Sequence, residues 1–379
     1  MAYVSPSSLE PQPSAAAKVS FDDIPVISTL RNATLAERIQ ARLDAQARPP
    51  GSLGRLEKLA VHVGLILGVD TPRLHEPTMM LCAGDHGLLA QGVSSWPSDV
   101  TTLMMHSILA GDSTVSVLVR QHGMQMKVID CGVVKPLPPQ PGLHLCSLGR
   151  GTADATQQPA MTMKQCRQGI RNGRELVAQT PGNVVLLGEM GIGNTSPSSL
   201  LLARLAGLPI EAVVGTGAGM DEAGRQRKLD ALTRALDRHA SATTPLEALA
   251  ALGGFEIATM VGIIMQAALE NRVIIVDGFI TTAAVLVASR LSPAVLERCI
   301  FAHESAEPGH RLMLAALGAE PLLQFGMRLG EGSAAALVWP LVESACRLLN
   351  EVVALDQLMA LSPAIMMDSA KAVGHRRSK

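Results

Sequence analysis

The sequence predicts an α/β fold: a mostly parallel six-stranded sheet with helices on both faces, plus a small helical domain built from the N- and C-terminal segments. Three observations lead there. Short, wholly apolar runs alternate with longer helical stretches, the pattern of strands buried on both sides of a parallel sheet. Glycine and polar residues collect just after those runs, at what would be one edge of the sheet. Both ends of the chain show helical periodicity with no strand between their helices.

Residues 1–22, rich in Ser, Pro and Ala without periodicity, read as a flexible tail. Residues 23–75 carry the first helices of the small domain. Leu35, Ile39 and Leu43 share a face over Thr34 to Ala47, where Arg48-Pro49-Pro50-Gly51 breaks the chain. A second helix then carries Leu56, Leu59, Val63 and Ile66. Residues 76–334 are expected to form the α/β domain, with strands at Thr78 to Ala83, Met126 to Asp130, Val184 to Leu187, Ala212 to Gly215, Val273 to Asp277 and Cys299 to Ala302. Helices are expected between them at Asp99 to Ala110, Ser113 to His122, Lys164 to Gln179, Ser198 to Ala206, Glu222 to His239, Glu256 to Glu270 and Thr281 to Ala288. Residues 335–379 complete the small domain and end in the basic Gly374-His375-Arg376-Arg377-Ser378-Lys379.

Composition narrows the function. The formal charge of −1 gives no global field for nucleic acid or an anionic membrane, and 2% aromatic residues leave few platforms for stacking bases. Every long apolar stretch is interrupted, as by Asp277, so no membrane span is expected. Six cysteines without a Cys-x-x-Cys pair, and no signal-like start, fit reduced thiols in a cytoplasmic protein.

The most informative stretch runs from Asn183 to Leu200. Val184 to Leu187 read as a strand, Gly188, Gly191 and Gly193 as a tight turn, and Asn194-Thr195-Ser196-Pro197 as the start of a helix. Such a turn points free N–H groups and a helix dipole at its ligand, which suits a phosphate. Glu189 would repel an anion, so it is better placed facing a sugar hydroxyl or a cationic reacting centre.

Gly215-Thr216-Gly217-Ala218-Gly219 resembles half a dinucleotide fingerprint but lacks the third glycine at its usual offset. We read Gly215 and Gly217 as a second turn lining a phosphate or ribose, with Lys228 behind them as phosphate partner or solvated helix charge. Asp85-His86, even with His303 and His310, does not form a known metal signature, and the default for Asp85 is a structural strand-end carboxylate. In Leu329-Gly330-Glu331-Gly332-Ser333, flanking glycines let a substrate approach the carboxylate, and apolar surroundings would raise its pKa as a general base requires. The competing reading is a helix N-terminal Glu favoured by the dipole.

Six segments together resemble the nicotinate-nucleotide–dimethylbenzimidazole phosphoribosyltransferase family of cobalamin lower-ligand synthesis. They are Arg48 to Glu57, Gly84 to Gly87, Gly188 to Thr195, Leu252 to Glu256, Asp277 to Phe279 and Arg328 to Ser333, in one order over residues 30–360. The resemblance implies a doubly wound sheet, a homodimer, and transfer of phosphoribose from nicotinate mononucleotide to 5,6-dimethylbenzimidazole. It puts the catalytic base on Glu331 and a second active-site carboxylate on Glu189. It also implies phosphate or ribose contacts at Gly191, Gly193, Asn194 and Thr195, and phosphate or carboxylate contacts at Lys228 and Ser305. Asp85, Ser95, Trp96, Met104 and Leu329 are expected in the remaining substrate pocket. No metal or cofactor is implied, because the pyridine leaves as a neutral ring.

Two positions depart from the family pattern. Trp96 is bulky where some relatives carry a small polar residue, and Met104 is apolar where a Gln can occur. They leave the acceptor base open: dimethylbenzimidazole or a different aromatic base. A dehydrogenase on the same architecture would need the missing fingerprint, and a non-catalytic nucleotide-binding regulator would show no dependence on Glu331.

Overall fold

The structure is a computed structural model and describes residues 24–215 and 221–360. The expected tail, the basic C-terminal end and Gly217 lie outside them.

Helix α1 (Ala33–Asp44) starts where the Asn32 side chain accepts from the Leu35 N–H, and it buries Leu35, Ile39 and Leu43. It stops short of Ala47, because Ala47 donates its N–H to the Val353 carbonyl instead. Arg48 then forms a 2.6 Å ion pair with Glu57 at the start of α2 (Arg55–Leu67), joining the breaker to the helix that follows it.

Next come β1 (Thr78–Gly84), α3 (Asp99–Ala110), α4 (Thr114–Gln121), β2 (Gln125–Gly132), β3 (Leu143–Leu145), α5 (Met163–Ala178), β4 (Val184–Met190) and α6 (Thr195–Ala206). They are followed by α7 (Ile210–Val213), α8 (Glu222–Arg238), α9 (Pro245–Leu252), α10 (Phe255–Leu269), β5 (Val273–Val276), α11 (Phe279–Leu291) and β6 (Cys299–Phe301). Helices α12 (Pro308–Leu317), α13 (Ser333–Glu351) and α14 (Leu355–Ala360) close the order.

All six strands are parallel, in the order β3-β2-β1-β4-β5-β6. The sheet is therefore doubly wound, with its topological switch between β1 and β4, where such folds open a crevice beyond the strand ends. Alternation along each strand splits the core in two. Met80, Cys82, Val185, Leu187 and Ile274 pack with α5, α6, α9, α10 and α11. Met79, Leu81, Val184, Leu186 and Ile275 pack with α1, α2, α3, α4 and α13. Helix α10, lying between the sheet and α5, is buried along nearly its whole length, and it is apolar all round for that reason.

Two expectations are corrected. Ala212 to Gly215 is not a strand: Ile210–Val213 forms one helical turn, because Pro209 presets the backbone at φ −63° and both neighbours of β4 are already β1 and β5. The sixth strand is instead β3, an edge strand of three residues paired with Val128 to Asp130 after a proline-rich loop. Its brevity and its central His144 hide it from any search for apolar runs. Strand β4 also runs further than expected, so Glu189 sits within the strand, opposite Cys82 of β1.

The longest apolar helical stretch, Asp99–Gln121, is the one segment among the described residues long and apolar enough to cross a membrane by composition. Gly111, in the left-handed region, breaks it into α3 and α4, and both pack on the sheet.

Candidate active site

Beyond the carboxyl ends of β1, β4 and β5 lies a cleft of about 500 Å³. Of the residues expected there, Glu189, Gly191, Gly193, Asn194, Thr195, Trp96, Met104, Ser305, Leu329 and Glu331 line it. Val93, Trp96, Val100 and Met104 give it an apolar wall, and the glycine turn opening α6 lies against that wall, where a Cβ on Gly193 would come within 3.8 Å of Val93.

The two acidic residues meet. The Glu331 N–H donates to the Glu189 carbonyl at 3.1 Å, which fastens the loop before α13 to the end of β4. Gly330 makes this possible: a Cβ there would lie 2.1 Å from Glu189 Oε1. Glu331 itself adopts φ 66°, a left-handed conformation uncommon for a side chain of this kind. Asp277, just past β5, holds the segment in place. Its carboxyl accepts from the N–H groups of Gly332 (3.3 Å), Ala334 (2.8 Å) and Ala335 (3.0 Å), so a residue distant in sequence caps α13.

Burial governs the electrostatics. It raises the Glu189 carboxyl to about 8, helped by Asp277 and Glu256 and opposed by Asn194, which donates its amide Nδ2 to Oε2. That environment favours the protonated form of Glu189 near neutral pH. Burial raises Asp277 to about 7 against the three amides it accepts from. Burial also raises Glu331, opposed by the Val115 N–H, which donates to Oε2 at 3.5 Å from the first turn of α4. The start of α4 thus faces the Glu331 carboxyl, in addition to the helix that Glu331 precedes.

At the polar end, Lys228 Nζ donates to Thr195 Oγ1 at 2.8 Å. Lys228 is 1% exposed, and burial lowers it to about 8, with Glu307 acting the other way. The solvated-helix reading of Lys228 is thereby excluded. Asn194, expected to cap α6, spends its side chain on Glu189 instead. The Ser305 N–H donates to His310 Nδ1 at 2.8 Å, and His310, lowered to about 3 by burial, stays neutral.

Four expected residues among those described are absent from the lining: Lys228, which reaches the cleft through Thr195, and three that stand back from it. Asp85 does not line it; its Oδ2 accepts from the Val134 N–H at 2.8 Å, so the carboxyl ties the loop after β1 to the loop after β2. Ser95 is exposed while its neighbours Ser94 and Trp96 form the wall. Gly215 is absent from the lining and packs instead where a Cβ would meet Glu307 and Pro308 at 2.8 Å. His86 Nε2 faces Glu256 Oε1 at 3.1 Å, and no group of three potential metal ligands occurs among the described residues.

Asp277, Glu307, Arg328 and Phe279 line the cleft without having been singled out as site residues. For Asp277 the signal was present, a carboxylate directly after an apolar strand; Glu307 closes the polar stretch after the sixth apolar run, and Arg328 opens the segment Arg328 to Ser333, but neither position shows by itself that it reaches the cleft.

Residues 29–358 match the model of a family described as phosphoribosyltransferase. A nicotinate-nucleotide–dimethylbenzimidazole phosphoribosyltransferase of Variovorax paradoxus (strain S110) is 56% identical over 337 residues, covering 89% of this chain and 97% of that one. A protein of the same name from Cupriavidus necator is 48% identical, covering 86% and 95%. The crystal structure of the Thermus thermophilus protein of that name superposes with a TM-score of 0.81 at 35% identity, over 86% of this chain and 98% of that one. The chain belongs to the nicotinate-nucleotide–dimethylbenzimidazole phosphoribosyltransferase family, and it is an enzyme that transfers a phosphoribosyl group.

Proposed function

We propose that the enzyme moves the 5-phosphoribosyl group from nicotinate mononucleotide to 5,6-dimethylbenzimidazole, releasing nicotinate and α-ribazole 5′-phosphate for the cobalamin nucleotide loop. The observation that carries this reading is the meeting of Glu331 and Glu189 in a cleft that an apolar wall and an N–H-rich glycine turn also line. In this reading the donor phosphate lies at the Gly191–Thr195 turn and near Lys228, and the base lies against Val93, Trp96, Val100 and Met104. The pyridinium nitrogen takes the bonding pair from C1′ and leaves as a neutral ring, so the departure needs no acid. The acceptor nitrogen attacks the opposite face of C1′, and Glu331 removes the proton from the other imidazole nitrogen. A protonated Glu189 places the ribose by hydrogen bonding rather than by charge. We further propose, from the family resemblance, that the enzyme works as a cytoplasmic homodimer.

Trp96 and Met104 favour a second acceptor reading, in which a different flat aromatic base takes the place of dimethylbenzimidazole. The test is incubation with nicotinate mononucleotide and a panel of benzimidazoles, purines and phenols, following nicotinate release. Release that is fastest with dimethylbenzimidazole supports the first acceptor; a faster purine or phenol selects the second. No release with any base defeats both.

A further inference from the structure

Helix α3 contributes Val100 and Met104 to the apolar wall of the cleft, and between them stands Thr101, which is fully buried. The Thr101 hydroxyl oxygen accepts from the Ile192 N–H at 3.1 Å. Ile192 is the middle residue of the Gly191–Gly193 turn, so a side chain of the acceptor wall holds the backbone of the phosphate turn. An oxygen that accepts this amide still has its own proton to place. The hydroxyl lies beside the Asp85 carboxyl and favours its charged form, although Oδ1 closes no in-line hydrogen bond.

Asp85 is itself fixed on three sides. Its Oδ2 accepts from Val134 N–H, its own N–H donates to the Gly132 carbonyl at 3.1 Å, and its carbonyl accepts from Thr152 N–H at 2.9 Å. An anchored carboxylate, a buried hydroxyl and the turn amide thus form one line from the end of β2 to the glycine turn. Gly191 adds the complementary constraint from below, since a Cβ there would lie 2.4 Å from the Gly84 carbonyl. The turn is pressed against β1 on one side and tied to α3 on the other.

We propose that Thr101 is a positioning residue for the nucleotide donor, acting through the Ile192 amide to hold the phosphate-binding turn in register with the acceptor wall. The inference rests on the donor and acceptor sites assigned above. A pure packing role predicts equal damage to both substrates. A role through the turn predicts damage to the donor alone.

The experiment compares Thr101→Val, Thr101→Ala and Thr101→Ser in the full-length chain. Loss of one neutral hydrogen bond corresponds to roughly a 2- to 10-fold change. Thr101→Val and Thr101→Ala are expected to raise the KM for nicotinate mononucleotide by about that factor, with the benzimidazole KM unchanged. Thr101→Ser restores the wild-type donor value. Calorimetric titration with nicotinate mononucleotide alone should show the same ratio in Kd. Wild-type donor affinity in both Val and Ala variants, a parallel rise in both KM values, or a Ser variant as impaired as Val would overturn the proposal. If the wild-type protein binds nicotinate mononucleotide but releases no nicotinate, the transfer reading fails, while the calorimetric comparison still decides the role of Thr101.

Discussion

Glu189 Oε1 occupies the space a side chain on Gly330 would need, so the acid of one segment rests on the bare backbone of another. This contact, together with the hydrogen bond from the Glu331 N–H to the Glu189 carbonyl, makes a single site from the end of β4 and the loop before α13.

Gly330→Ala should therefore damage the enzyme through Glu189. The added methyl forces the carboxyl or the loop aside, lowering both the melting temperature and kcat. Glu189→Ala removes the obstructing atoms, so the double variant should lose less stability than the two single losses combined. Additive losses in a thermal denaturation cycle would show that the contact is not the cause.

Glu331→Gln should keep the fold and nicotinate mononucleotide binding while reducing turnover by about 10²–10⁴-fold, the usual effect of removing a general base. Binding is read by calorimetry and turnover by nicotinate release. An unimpaired variant would take Glu331 out of the chemistry.

The raised Glu189 carboxyl has a consequence for stability. Its pKa is about 8 in the folded protein against 4.5 for the ordinary group, so between those values the folded state holds a proton that the unfolded state has released. Stability from this group is complete below about pH 4.5 and is lost as the pH rises toward about 8. Glu189→Gln cannot ionise, so its melting temperature should gain on the wild type across that window and level off above it. Parallel melting curves from pH 5 to 9 would show that Glu189 is ionised throughout.

Much of this was legible in the sequence, for local reasons. Apolar runs gave β1, β2, β4, β5 and β6, and polar residues after them marked the functional edge. The exceptions are instructive. Ala212 to Gly215 has a strand-like composition but lies in a sheet with no free position beside β4, and β3 is too short to be seen. Glu331 follows no strand, so residue patterning alone does not bring it to Glu189; family resemblance supplied that expectation. Nor does spacing announce that Asp277 caps α13 or that Asn194 turns from its own helix to a carboxylate. Those are tertiary pairings, settled only when the sheet has assembled.

Helix α13 begins two residues after Glu331 and packs on α2, near the opposite end of the chain. During synthesis, then, the first helices emerge with greasy stripes whose cover stays incomplete until residues 333–351 appear. The sheet and its glycine turn are made well before the residue proposed to take the proton. Chains interrupted before that point would expose sticky surface and lack their base, so a ribosome must finish most of its work before either defect is cured.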